Sequence, residues 1–168
     1  MNIAIIYSTS SKSTKKSCKI LSGKINAEVQ LIPIEKAKSE CILKYNYIII
    51  ACSAYGGKVQ SAVKRYISRN IRTLKEKPIA LILNCEEETD IKERLKKAFT
   101  EELVNSSLVC SNFGYELDPD EGNIIEKRKI NNIIDSYKKE GKNLPSLNMN
   151  EIDRFADYIN NMIEKRVD

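Results

Sequence analysis

Ile3-Ala4-Ile5-Ile6 runs directly into Tyr7-Ser8-Thr9-Ser10-Ser11-Lys12-Ser13-Thr14, and a helix-compatible stretch begins straight afterwards. The first four residues are apolar and strand-like, while the next eight are polar and mostly carry hydroxyls. A strand that breaks into a Ser/Thr loop ahead of a helix is suited to holding a phosphate. The first helical turn leaves N–H groups without intrahelical partners, and the positive end of the helix dipole faces the same way. Hydroxyls add donors at close range. Such a loop needs a parallel sheet to hold it open, and the rest of the chain predicts one.

Tyr47-Ile48-Ile49-Ile50-Ala51 and Ile79-Ala80-Leu81-Ile82-Leu83 are continuous apolar runs, as expected of parallel strands covered on both faces. Glu28 to Ile34 alternates loosely through Val29, Leu31 and Ile34, and Pro33 places that strand near an edge. Leu108-Val109-Cys110 is the centre of a fifth strand. Helices are predicted over Ser13 to Leu21, stopping near Gly23, and over Val59 to Ile71. In the second of these, Val59, Val63, Tyr66, Ile67 and Ile71 fall on one face. Glu35 to Tyr45 reads as short helical or irregular structure. A helix from Ile91 to Leu103 has Asp90 and Glu93 placed like a capping box, and a last one runs from about Asn150 to Arg166.

Alternating strands and helices joined by short loops imply a three-layer α/β fold, a doubly wound five-stranded parallel sheet of order 2-1-3-4-5. That order puts a ligand crevice at the carboxyl ends of the first and third strands. One domain is expected over residues 1–168, with a helical insertion after the fifth strand at about 115–147. The insertion holds a turn-rich piece, Asp118-Pro119-Asp120-Glu121-Gly122-Asn123, and a helix from Ile124 to Lys139. Ile130, Ile133, Ile134 and Tyr137 fall on one side of that helix, and Lys127, Arg128, Lys129, Lys138 and Lys139 make its remaining surface basic.

Composition excludes several chemistries. The chain of 168 residues has five cysteines without a C-x-x-C pair and no histidine, which removes the usual zinc sites, the Cys–His nucleophile and the Ser–His–Asp triad. Most of the cysteines are expected to be reduced core residues. Any reaction must therefore rest on carboxylates, lysine, tyrosine or a bound cofactor. No apolar run reaches the roughly 20 residues that span a bilayer, and Met1-Asn2 leads straight into a strand pattern, so a cytoplasmic location is expected. Nucleic acid is an unsuitable partner, because aromatic residues are only 7% and are not interleaved with the lysines.

The loop after the third strand, Ser53-Ala54-Tyr55-Gly56-Gly57-Lys58, is the second informative stretch. Adjacent glycines permit positive backbone angles and let the main chain approach a planar ligand, and Tyr55 offers it an aromatic face. The plainer reading is a tight strand-to-helix turn.

As a pair, the two loops resemble those of flavodoxin-like proteins, which bind flavin mononucleotide (FMN) with a T-x-T-G-x-T-type phosphate loop after the first strand. The closer resemblance is to the flavodoxin-domain group that includes the menaquinone-dependent protoporphyrinogen IX dehydrogenases. It lies in Tyr7-Ser8-Thr9 with Ser13-Thr14, and in Ile50-Ala51-Cys52-Ser53 leading to Gly57 and Ser61-Ala62. The resemblance implies that Ser8, Thr9, Ser10, Ser11, Ser13 and Thr14 hold the flavin phosphate. It also implies that Ser53 to Lys58 flank the isoalloxazine ring, and that Asn84, Cys85 and Glu86 form its other wall. A main-chain peptide at Gly56-Gly57 would reorient when the ring is reduced.

Lys12 stands where the family usually has glycine, and a lysine beside a phosphate is electrostatically favourable. The expected function is an FMN-dependent oxidoreductase acting on a porphyrinogen-type or other small substrate, or passing electrons to a quinone or a redox partner protein. The net charge of +5 suits an acidic partner, a propionate-bearing porphyrin or an anionic membrane face, with the basic insertion helix as a peripheral membrane contact. The alternative is a flavodoxin-fold binding or regulatory module that has lost its flavin. Lys12 and the loop after the fourth strand, which lacks a stacking aromatic, motivate it.

Overall fold

In a computed structural model that describes residues 1–8, 12–55, 58–59, 61–86 and 90–165, period-two alternation sorts the central strands onto two faces. The strands are β1 (Asn2–Tyr7), β2 (Glu28–Pro33), β3 (Tyr47–Tyr55), β4 (Ile79–Asn84) and β5 (Val109–Asn112). Ala4, Ile6, Ile48 and Ile50 face one layer, and Ile3, Ile5, Tyr47 and Ile49 face the other. All eight are buried. Each fully buried isoleucine contributes roughly 1.5–3 kcal/mol relative to exposure, so the unbroken apolar runs are worth their burial only between two helical layers.

The first layer holds α2 (Ser39–Lys44), α3 (Ser61–Lys75), α4 (Ile91–Phe99) and α5 (Glu101–Ser106), which supply Ile42, Ile67, Phe99 and Leu103 to its core. The second holds α1 (Lys12–Ser22) and α7 (Met149–Glu164), with Cys18, Leu21, Phe155 and Ile159 turned inward. Phe113 and Phe155 meet edge to face with ring centroids 5.3 Å apart, fixing α7 against the exit of β5. The remaining helix, α6 (Ile124–Lys139), belongs to the insertion.

Every pairing in the main sheet is parallel, and the order is β2-β1-β3-β4-β5, the predicted 2-1-3-4-5. β2, the strand with Pro33, lies on the edge. Ile3 pairs with Tyr47 and Tyr7 with Ala51, so β1 ends opposite Ala51 while β3 runs on past it to Tyr55. The Ser8 amide extends this pairing by donating to the Ala51 carbonyl at 3.0 Å.

Three local expectations are corrected. The segment read as a loop from Ser53 continues β3 to Tyr55, and Ala54 and Tyr55 pair antiparallel with Val59 and Lys58 in a short hairpin. Burial of Ser53 and Ala54 carries the strand past its apolar run. The single helix expected from Ile91 to Leu103 is two. Thr100, at φ 73°, breaks the register and caps α5 by accepting a hydrogen bond from the Leu103 amide at 3.4 Å. On α6, Ile134 is buried but Ile133 is 43% exposed, because the helix lies over the sheet's end and presents only a narrow stripe inward. The sheet topology, by contrast, follows the expected order throughout.

Candidate functional site

The β1–α1 junction is built by two constraints. β1 must end beside β3, and α1 must begin within a few residues so that Thr14, Ser17 and Cys18 can turn under it. Ser8 and Thr14, the residues that bracket this junction, are each 0% exposed. Their hydroxyls, Ser8 Oγ and Thr14 Oγ1, are buried with no hydrogen-bond partner among the described residues. Buried hydroxyls without partners are costly, by about 1–3 kcal/mol each, and two at one helix start mark a place prepared for an acceptor. Thr9, Ser10 and Ser11, predicted to complete this loop, lie outside the described residues, as do Gly56 and Gly57.

The start of α1 already receives an anion. The Lys12 amide donates to Glu121 Oε1 at 2.6 Å. Around this contact the insertion is strapped to α1 by an ion pair between Lys12 Nζ and Asp118 at 2.7 Å, another between Lys16 and Glu116 at 2.7 Å, and a 3.0 Å bond from the Glu116 amide to Ser13 Oγ. The Lys12 hydrogen bond holds the Asp118 carboxyl below the usual aspartate range, and the Asp118 carboxylate in turn raises Lys12. Lys12, predicted as a phosphate contact, is thus engaged with the insertion. The acidic turn is the part of the site that sequence reading missed. Its one sequence signal was charge: Glu116, Asp118 and Glu121 against Lys12 and Lys16.

Asn84, predicted to wall the ligand, is buried at the end of β4. Its Oδ1 accepts from Ser17 Oγ at 3.1 Å and its Nδ2 donates to the Gly114 carbonyl at 2.9 Å. It therefore ties α1 to the chain leaving β5. Gly114 has φ +67°, and a Cβ there would come within 2.6 Å of the Ser146 carbonyl, so this crossing needs glycine. Asn112 Oδ1 accepts from both the Cys85 and Gly114 amides, at 3.2 and 3.0 Å.

Beyond this strut a cleft of about 850 Å³ opens between the ends of β4 and β5, the insertion and the start of α7. Cys85 and Glu86, two of the predicted wall residues, line it together with Tyr115, Tyr137, Leu144 and Glu151. Tyr137 reaches from α6 to donate to Glu86 Oε1 at 2.7 Å. Ser53 and Ala54 are buried at the β3 end, so the structure gathers Ser8, Lys12, Ser13, Thr14, Ser53, Asn84 and Cys85 at one end of the sheet. Buried thiols do not supply a nucleophile. Burial pushes Cys18 up to about 12 and raises Cys52 further still.

The residues present fit a phosphate-bearing group. Orphaned hydroxyls flank the helix start, and a carboxylate stands in for an anion on its first amide. Comparison with known proteins bears on the family and the fold. A family model described as Flavodoxin domain matches residues 4–143. A flavodoxin from Streptococcus pneumoniae TIGR4 superposes with a TM-score of 0.57 at 10% identity, covering 95% of this chain and 97% of that one. Two-electron reduced flavodoxin from Megasphaera elsdenii gives 0.56 at 14% identity, over 74% and 93%. Flavodoxin 2 from Bacillus cereus gives 0.55 at 21% identity, over 83% and 99%. At these identities the likeness is one of fold. A comparison with curated proteins finds no match.

Proposed function

The chain belongs to the flavodoxin domain family, which implies FMN as its cofactor, and on that premise we propose that it exchanges electrons with a small molecule entering the cleft beside β4 and β5. The observation that carries this reading is the pair of buried, unpartnered hydroxyls, Ser8 Oγ and Thr14 Oγ1, that bracket the β1–α1 junction. Bound FMN supplies the redox chemistry; the protein supplies binding, orientation and local electrostatics. Ser8, Thr14 and the first amides of α1 would donate to the phosphate. The β3 hairpin and the Cys85–Glu86 segment would flank the flavin ring.

The cleft bears on the electron partner. Glu86 and Glu151 line it, with neither lysine nor arginine among the described residues that do. A propionate-bearing tetrapyrrole would bring like charge to the Glu86 carboxylate, Glu151 being paired with Arg154 at 2.8 Å, whereas an uncharged quinone would not. A quinone is therefore the better-suited small partner, despite a chain that is +5 overall.

A module without flavin is the second reading, and the Glu121 carboxylate on the Lys12 amide favours it. Purification separates the two. A yellow protein that releases FMN on denaturation, and is reoxidised by a soluble quinone after anaerobic reduction, supports the first reading. A colourless protein that leaves the fluorescence of added FMN unquenched supports the second.

A further inference from the structure

We infer that Glu121 and a ligand phosphate contend for the same amide at the start of α1, so that the acidic turn of the insertion sets how tightly the site holds phosphate-bearing ligands. The inference rests on the phosphate-site reading of the β1–α1 junction.

The geometry is specific. Lys12 is the first residue of α1, and its amide is one of the donors a helix leaves unpaired. Glu121 Oε1 takes it at 2.6 Å, a charge-assisted contact. The carboxylate is delivered by a built turn: the Asp120 amide donates to Asp118 Oδ1 at 2.8 Å and the Glu121 amide to the Asp118 carbonyl at 3.0 Å. Asp118 also takes the Lys12 ammonium, a cation on the first residue of the same helix. Two functions of one lysine, its amide and its side chain, are thus held by two carboxylates three residues apart.

A phosphate arriving at this helix start must displace the Glu121 carboxylate and then remain beside it and Asp118. Like charges at that separation repel. The contest concerns the phosphate, because Glu121 Oε1 sits on the amide at the start of α1, whereas the proposed ring contacts are on the β3 hairpin and the Cys85–Glu86 segment. Riboflavin, which has the ring and ribityl chain but no phosphate, is the probe that isolates the effect.

The test is a fluorescence-quenching titration of the full chain and its Glu121→Gln and Asp118→Asn variants with FMN and with riboflavin. Glu121→Gln should tighten FMN about tenfold, from loss of a carboxylate at a helix N-terminus and of its repulsion, and should leave riboflavin unchanged. Asp118→Asn should move FMN the same way by a smaller factor. FMN affinity that is unchanged or weakened in both variants, with the parent still binding FMN, refutes the contest and leaves the flavin reading standing. Equal tightening of FMN and riboflavin refutes it too. If no protein in the set quenches either flavin, the flavin reading fails and this inference with it.

Discussion

Thr14 and Ser8 have opposite values to the protein with and without an anion. Each buries a hydroxyl that no described residue satisfies, a burden of order 1–3 kcal/mol per group that an anionic acceptor would relieve. Thr14→Val keeps the shape and removes the hydroxyl. The ligand-free variant should therefore be more stable than the parent by about 1 kcal/mol in urea unfolding. Its FMN affinity should fall about tenfold, the equivalent of one lost hydrogen bond to a charged group. Both measurements moving downward together would show Thr14 to be a packing residue only. At this scale the sequence was readable where chemistry is local. Ser8, Ser13 and Thr14 stand out because hydroxyls crowd one strand end. Glu121 did not, because its partner amide is 109 positions away and opposite charge alone does not say which residues meet. Asn84 was legible as a residue near the site, but its role as a strut between Ser17 and Gly114 depends on two further elements packing correctly.

Among the elements, α4 and α5 show how a helix pattern can hide a break. Ile91, Leu95, Ala98, Phe99 and Leu103 keep helical spacing throughout, yet Thr100 sits at φ 73° and ψ 147°, a region nearly reserved for glycine. The two short helices turn their apolar residues to one core, α4 through Leu95 and Phe99 and α5 through Leu103. Leu103 is fully buried in the result. Thr100→Gly relieves backbone strain of order 1–3 kcal/mol and loses an N-cap hydroxyl, which glycine replaces at a cost of a few tenths. The variant should melt about 2–4 °C higher for each net kcal/mol gained. A lower melting temperature would mean that the Thr100 cap outweighs its strain. Elsewhere the elements were legible where one signal dominates: α6 matches its expected span, Ile124–Lys139. The β3 extension was missed because Ser53 gains its pairing from Asn84 across the sheet, and Ala54 and Tyr55 gain theirs from a hairpin partner two residues long.

For the molecule as a whole, the five apolar runs decide the sheet, and the sheet decides where a ligand can sit. By register β1 ends opposite Ala51, so the chain from Ser8 emerges beside the part of β3 that runs on to Tyr55. The insertion then closes over the same end from outside, through Lys12–Asp118, Lys16–Glu116 and Tyr137–Glu86. No described helix is long and apolar enough to cross a membrane. The exposed ion pairs of this strap add little to stability, and their effect is on which anion the site accepts. Asp118 has its carboxyl lowered by Lys12, so that contact is fully formed at neutral pH and is lost only as pH falls through the lowered value, below the ordinary aspartate range. Near pH 7 the strap is therefore intact when phosphate binding is measured. The direct measurement is the dissociation constant of the unmodified chain for FMN set beside that for riboflavin, by quenching of flavin fluorescence under identical salt. A phosphate held by Ser8, Thr14 and the start of α1 gives FMN the tighter constant by about tenfold or more. Equal constants for the two flavins would contradict it.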